Sequence, residues 1–336
     1  MPQNPIPVQI SVVIPTCDRK AALLSLLDDL DKSDLSLLEV IIVDSGNDRL
    51  VPADYAAFST LDIRYMGSER SVCIQRNAGI AKARAPWIFL CDDDVEMPPD
   101  YLRKLSGHIQ THPEAGAVCG LFLQKEGNEW KGSYPVDSAG LLLWKYLFSL
   151  GFWGEIRCGE GGMTRRIRNY YLDKGNHISR SGWPVLVDFS GPFFITPVYT
   201  LGAALVQKDW LLQAPFDELL DQHGIGDNYG VCVSFPRNGV HVLTDAFVHH
   251  HKTPVNRLQR PLQYFRRVLA IDYFRQTKAA LGKVKRSWLL WSLTGNLLAF
   301  LRAGDLIMVR PALRSLLLIA SGRNPYYKAL KNKRSR

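Results

Sequence analysis

The chain has 336 residues, 46% of them hydrophobic and 22% charged. That supplies a full apolar core and excludes a disordered or low-complexity chain, and the length allows one large α/β domain with an appendage or two small domains. The net charge of +9 is unevenly spread: residues 1–251 carry 22 Lys and Arg against 30 Asp and Glu, whereas residues 252–336 carry 19 basic residues against Asp272 and Asp305 alone.

The first strand is expected over residues 9–14, followed by a helix with Leu23, Leu24, Leu27 and Leu30 on one face. Residues 39–43 give a second strand, 63–66 a weak third and 87–90 a fourth, with a helix over 71–84 between the last two. A fifth strand is expected over 115–123. Strands alternating with helices of this size imply a parallel sheet wound by right-handed crossovers. Residues 124–182 break the rhythm, and Gly159-Glu160-Gly161-Gly162 reads as loop. The basic run through Arg165, Arg166 and Arg168 is then either a lid over a diphosphate or a solvated turn. Regularity returns with a strand over 203–207, a short helix over 227–236 and one or two strands over 240–251. From residue 257 the pattern is helical and basic.

Six cysteines (17, 73, 91, 119, 158 and 232) show no CxxC and no disulfide framework, which points to a reducing compartment. Residues 1–9 lack the basic start and apolar stretch of a secretory signal, so a cytoplasmic protein is expected.

The most informative feature is Asp92-Asp93-Asp94 directly after the apolar run 87–91. The carboxyl end of a buried parallel strand is where open α/β sheets place ligands. Adjacent carboxylates repel unless a cation neutralises them, and oxygen ligands suit Mg²⁺ or Mn²⁺ with a diphosphate as partner. A solvated acidic turn is the competing reading, since Pro98 and Pro99 announce a helix. The first two strands end on the same edge, in Pro15-Thr16-Cys17-Asp18 and in Asp44-Ser45-Gly46-Asn47. Asp18 suits a helix cap, Asp44 can accept from a base N–H, and Thr16 can donate to a base or phosphate. Arg70 and Arg76, near the helix before the acidic strand, can pair with a phosphate or base, or form ordinary salt bridges.

Taken together, the segments 13–19, 43–47, Arg76-Asn77-Ala78-Gly79 and 89–94 resemble the successive signatures of the family 2 glycosyltransferases, in their order and approximate spacing. The resemblance implies a GT-A fold: an α/β, Rossmann-like, mostly parallel sheet flanked by helices. It implies a nucleotide-sugar donor held by Pro15, Thr16, Asp18, Asp44, Arg70, Arg76, Asp92 and Asp93, and a divalent cation, Mg²⁺ or Mn²⁺, on Asp92 and Asp94. Residues 202–208 and 215–218 are similar to the family's later strand and acceptor loop, and Gly226-Asp227-Asn228 stands where the family has a Glu-Asp pair. Asp227 is then the general base of an inverting transfer, with Glu218 and Asp221 as fallbacks, and Gly226 departs from the pattern. The strand ending His249-His250-His251 implies a metal-binding or phosphate-facing histidine, His250 by register or His249 after a one-residue slip. The resemblance spans residues 9–251. It implies a catalytic domain over 1–251, with a donor and metal half to 123 and an acceptor half beyond, followed by a tail over 252–336.

That tail carries an apolar stretch at 288–301, short of the ~20 residues a bilayer requires, and a second at 306–320 broken by Arg310, Pro311 and Arg314. Amphipathic basic helices of this kind lie in the interfacial plane, so docking on an anionic membrane at its cytoplasmic face through residues 252–336 is expected, with Trp288, Trp291 and Phe300 at the acyl boundary. Packing on the catalytic domain is the alternative, and both can hold. The acceptor is expected to be a lipid-linked or cell-surface glycan precursor. A nucleotidyltransferase wants a glycine-rich, Lys-bearing loop after strand one, and residues 15–19 contain no glycine. Nucleic-acid binding is disfavoured because the basic residues alternate with aliphatic runs rather than aromatic platforms. A catalytically retired transferase acting as a membrane scaffold is the remaining alternative.

Overall fold

The structure, a computed structural model, describes residues 9–35, 38–220, 222–236, 239–252, 255 and 257–334. Strands β1 (Ile10–Thr16), β2 (Leu38–Asp44), β3 (Leu61–Gly67) and β4 (Trp87–Cys91) run parallel in the order β3-β2-β1-β4, connected through helices α1 (Lys20–Asp31), α2 (Pro52–Tyr55) and α3 (Val72–Lys82). β1 and β2 are buried along their whole length, as befits apolar strands covered on both faces. β3 lies at the sheet edge and is at most half-buried, which is why its apolar signal is short although the strand has seven residues. β1 runs past Pro15, where a break is expected from the missing N–H. Pairing with β4 stops at Val13, so the ring lies beyond the doubly paired part of the strand, which carries Thr16 on to the sheet edge.

β5 (Val95–Glu96) and α4 (Tyr101–Thr111) lead to β6 (Ala117–Glu126), which turns back through β7 (Glu129–Lys131). A smaller unit follows: α5 (Ala139–Leu147), β8 (Phe152–Trp153), α6 (Gly162–Lys174), β9 (His177–Ile178) and β10 (Pro184–Leu186), the three strands forming a separate sheet. Here the expectation of a loop through residues 159–168 is corrected: Arg165, Arg166 and Arg168 lie on α6. The glycines mark only its start, and Ile167 and Tyr171, four apart, are buried on one side of it.

β11 (Phe193–Thr196) returns to the main sheet, and β12 (Ala203–Gln207) inserts antiparallel between β4 and β6. α7 (Lys208–Gln213), α8 (Asp227–Cys232) and β13 (Val240–His250) complete this half, with β13 parallel to β6. The parallel winding therefore holds for the first four strands, and the second half of the sheet is mixed.

Period-two alternation divides the core between the two faces of the sheet. Val13, Ile41, Val43, Ile88 and Leu90 face one apolar cluster, and Val12, Ile14, Val40, Ile42 and Phe89 face the other. The basic segment joins the first of these clusters. Helix α9 (Arg260–Thr277) buries Val268–Phe274 there, and α10 (Arg286–Arg302), α11 (Leu306–Ala320) and α12 (Pro325–Arg334) add Leu289, Leu293, Ile319 and Tyr326. No helix among the described residues is long and apolar enough to cross a membrane. Trp288 stacks under the Arg180 guanidinium, 3.3 Å from the ring centroid, and Phe300 packs edge-on against Tyr264. Only Trp291 of the three expected anchors is strongly exposed.

Candidate active site

The ends of β1, β2 and β4, the first turns of α3 and α8, and the end of β13 bring carboxylates, guanidiniums and one imidazole to a single sheet edge. The three aspartates after β4 diverge, and each meets a different partner.

Asp92 turns toward α3. Arg76, 4% exposed, donates from Nη2 to Asp92 Oδ1 at 2.5 Å and from Nη1 to Asp227 Oδ2 at the start of α8. Burial by itself lowers the pKa of a guanidinium, but Asp227 and Asp92 outweigh it and hold Arg76 charged. Burial pushes the Asp227 carboxyl up to about 6 against the attraction of Arg76, while the Asn228 N–H donates to its Oδ1 at 2.6 Å.

Asp93 turns toward β1. Its Oδ2 accepts from Thr16 Oγ1 and its Oδ1 from Arg19 Nη1, each at 2.7 Å. Burial pushes it up to about 6, with Arg19 opposing and Asp94 adding to the rise. Asp94 faces β13: His250 Nε2 is 3.2 Å from its Oδ1, and Arg19 and Arg257 reach its Oδ2 at 3.2 and 3.7 Å. Burial would raise Asp94, but His250, Arg19 and Arg257 outweigh it and hold it below the usual carboxylate range. Arg19 also donates to the Val255 carbonyl at 3.1 and 2.9 Å, tying the start of α1 to the segment after β13.

Of the three residues expected to hold a cation, the structure brings Asp94 and His250 together and turns Asp92 away to Arg76. Among the described residues no group of three or more His, Cys, Asp or Glu forms a ligand cage. Asp94 Oδ1 and His250 Nε2 still lie side by side as a carboxylate oxygen and an imidazole nitrogen, with Arg257 Nη2 also 3.2 Å from that nitrogen. His250 Nδ1, on the other side of the ring, is buried without a hydrogen-bond partner among the described residues. That donor set fits a Mn²⁺-like ion that fills its remaining positions with water and diphosphate. His249 and His251 lie on the opposite side of the strand, toward Glu96, at 3.8 and 2.6 Å.

On the β1–β2 side, Asp44 is buried and accepts from the Gly46 N–H at 2.7 Å and from the Tyr65 hydroxyl. Asp18 does not cap α1, whose N-cap is Arg19 without a side-chain bond. It adopts φ +55° and accepts from the backbone N–H of Asn47 and Asp48 at 2.6 and 3.3 Å, fastening the loop after β1 to the loop after β2. Pro15 is buried in β1 beside Val43. Arg70 is exposed ahead of α3, near Cys17 of the β1 loop.

Several residues that the sequence reading did not single out organise this edge. Gln75 donates from Nε2 to the carbonyls of Thr16 and Val43 at 2.7 and 2.6 Å, satisfying the last turns of two strands at once. Asn77 clamps the 215–218 loop, accepting from Phe216 N at 3.0 Å and donating to Phe216 O and Glu218 Oε1 at 2.9 and 3.0 Å. Gly79 lets α3 approach β1: a Cβ there would lie 2.4 Å from Val13 Cγ1. The motif over 76–79 is thus largely architectural. Glu218 is exposed, and Asp221 lies outside the described residues. The Gly226 departure also has a structural cause. It caps α8 at φ +101°, and a Cβ would meet the Ala270 Cβ of α9 at 2.7 Å, so the packing of α9 leaves no room for a side chain.

Comparison with known proteins bears on the fold and the family. Residues 11–166 match the family model described as glycosyl transferase family 2. The uncharacterized glycosyltransferase YwdF of Bacillus subtilis is 33% identical over 136 residues, which cover 39% of this chain and 48% of that protein. An uncharacterized glycosyltransferase of Haemophilus influenzae is 30% identical over 110 residues, covering 32% and 37% respectively. The matched region thus spans about half the length of the first curated relative and under two-fifths of the second. Among solved structures, residues 1–349 of S. aureus TarS superpose with a TM-score of 0.54 at 13% identity, covering 98% of this chain and 91% of that one. GalNAc-T7 with UDP, GalNAc and Mn²⁺ superposes with a TM-score of 0.56 at 13% identity, covering 87% and 55%. At such identities the likeness is one of fold. Over residues 11–166 the chain is thus similar to the glycosyl transferase family 2, within a GT-A-type fold.

Proposed function

We propose that this chain is an inverting, metal-dependent glycosyltransferase that moves a sugar from a nucleotide-sugar donor to a hydroxyl of a lipid-linked or cell-surface glycan precursor. One observation carries the reading: the Asp227–Arg76–Asp92 chain of ion pairs stands beside the Asp94–His250 pair on one sheet edge. In the transfer the acceptor oxygen forms a bond to the anomeric carbon, the bond from that carbon to the phosphate oxygen breaks, and the acceptor proton passes to Asp227. Arg76 keeps Asp227 anionic in a buried setting and fixes its direction, while its pKa near 6 leaves it deprotonated at neutral pH yet basic enough to act. A single base working opposite the leaving group gives inversion. Arg19 and Arg257 place positive charge where the departing diphosphate gathers negative charge. A divalent cation held by Asp94 and His250 supplies Lewis-acid stabilisation to that diphosphate when bound. The Mn²⁺ and UDP solved with the structurally similar GalNAc-T7 support the cation and nucleotide parts of the reading.

The test is release of nucleoside diphosphate from a panel of nucleotide sugars in Mn²⁺ or Mg²⁺. Asp94→Ala is expected to lower turnover by about 10²–10³-fold and to weaken nucleoside diphosphate binding in the same buffer. Undiminished activity in excess chelator would overturn the metal assignment.

The same proposal places the enzyme on an anionic membrane at its cytoplasmic face. Leu306 and Ile307 are 73% and 74% exposed, and Leu313 and Leu317 continue their exposed apolar side of α11 among Arg302, Arg310, Arg314 and Arg323. Apolar side chains ringed by arginines suit the interface of an anionic bilayer. Removing the whole segment is not a clean test, because Leu289, Leu293 and Ile319 belong to the core. Leu306→Glu/Ile307→Glu should keep the fold and lower partitioning onto anionic vesicles at least ~10-fold. Wild-type binding should rise with anionic lipid fraction and weaken in 1 M salt, where the Debye length is about 3 Å. Equal partitioning of the wild type and the double variant would exclude this face as the anchor.

A further inference from the structure

His250 has a second environment. With His251, Lys125, Gly127, Trp130 and Lys252 it lines an open cleft of about 430 Å³ between the β6–β7 hairpin and the end of β13. Sheet order places β12 between this cleft's strands and β4, and puts β1 and β2 on the far side of β4. The cleft therefore flanks Asp94 on the side away from the loops of Asp44 and Thr16.

Its lining combines two chemistries. Lys125 and Lys252 are exposed and have neither an ion pair nor a hydrogen bond among the described residues, so their charge is uncommitted. The nearby acids are already engaged: Glu96 with His249 and His251, Glu129 with Lys131 at 3.3 Å, and Glu126 with the Tyr134 hydroxyl. Trp130 is half-buried and held in place, stacked on His249 with 4.3 Å between ring centroids and meeting His251 edge-on at 5.3 Å. A fixed indole offers an apolar surface to the C–H face of a sugar ring, and two unpaired ammonium groups on a concave wall concentrate anions.

We propose that this cleft is the subsite for the acceptor and that the acceptor is an anionic glycan, one whose sugar units carry phosphate or carboxylate groups. The assignment rests on the transferase reading above. His250, shared between the cleft and the Asp94 pair, sets the charged part of the acceptor next to the place where the sugar is transferred.

The experiment is calorimetric titration of the full chain, in Mn²⁺ with UDP or GDP bound, by trigalacturonate, glucose 6-phosphate, neutral maltotriose and inorganic phosphate. At least one of the two anionic sugars is expected to bind about tenfold or more tighter than maltotriose, and to lose about tenfold in both Lys125→Ala/Lys252→Ala and Trp130→Ala. Nucleoside diphosphate binding should be unchanged in these variants, with thermal melts showing that they remain folded. The proposal is overturned if maltotriose binds as well as both anionic sugars, or if the lysine variant keeps the anionic affinity. It is also overturned if inorganic phosphate matches glucose 6-phosphate and trigalacturonate does not bind, which would leave a bare anion site. Loss of nucleoside diphosphate binding in the lysine variant would give the cleft to the donor and overturn the acceptor assignment. A wild type that binds neither nucleotide in Mn²⁺ would instead sink the transferase reading itself.

Discussion

Asp227→Asn is expected to lower turnover by about 10²–10⁴-fold while nucleoside diphosphate binding stays nearly unchanged. Asparagine keeps the shape of the side chain, and its carbonyl oxygen can still accept from the Asn228 N–H that now donates to Oδ1. What it cannot do is take a proton from an attacking hydroxyl. Arg76 retains Asp92 as a partner in this variant, so the buried guanidinium is not stranded. The pH dependence gives a second readout. Because burial pushes the Asp227 carboxyl up to about 6, the wild-type rate should fall as the pH drops through that value and the base takes up its proton. The residual rate of the asparagine variant should lack that limb. An active Asp227→Asn alongside an inactive Glu218→Gln would move the base to the 215–218 loop, although Glu218 is exposed and its Oε1 is occupied by Asn77. A product of retained anomeric configuration would overturn single displacement altogether.

The sheet edge was legible because its strands are buried on both faces, so their apolar runs stand out and end abruptly at Thr16, Asp44 and Asp92. Strand period also separates His250 from its two neighbours, and the structure has that imidazole alone facing Asp94. What sequence cannot give is where a long side chain spends its charge. Arg76 reads as a phosphate or base partner, yet its guanidinium is buried between two carboxylates from distant parts of the chain. Arg19 and Arg257, 238 residues apart, meet on Asp94 only because the segment after β13 folds back over the start of α1. A signal for Gln75 was available in its place on the same helix as Arg76, one residue away, but its two acceptors lie on different strands. Gly226 is the clearest case. Read along the chain it is a missing acid; in space it is the contact that lets α9 close on α8, so the basic segment and the site are built against each other.

Arg76→Met tests that construction and is expected to be the most damaging single change at the site. Methionine fills much of the same volume but leaves Asp92 and Asp227 without the positive charge that now separates them. Breaking a buried pair by removing one partner costs about 3–5 kcal/mol. Most of that should come from Asp227, since the Asp92 side chain is 29% exposed and partly served by water, against 12% for Asp227. The sign with pH follows from the same charges. A carboxylate whose folded pKa lies above its unfolded value destabilises the fold most when both states are ionised, so stability falls as the pH rises through the folded pKa. Losing Arg76 lifts the Asp227 pKa further above about 6, so the variant's deficit in urea unfolding should be large at pH 8 and shrink toward pH 5. Activity at neutral pH should be lost at the same time, because the base is then largely protonated. Adding Asp227→Asn to Arg76→Met removes the stranded charge and should recover a good part of the stability while recovering none of the turnover. If Arg76→Met loses less than about 1 kcal/mol, as an exposed pair would, water already screens these carboxylates and the guanidinium is not what holds Asp227 in place.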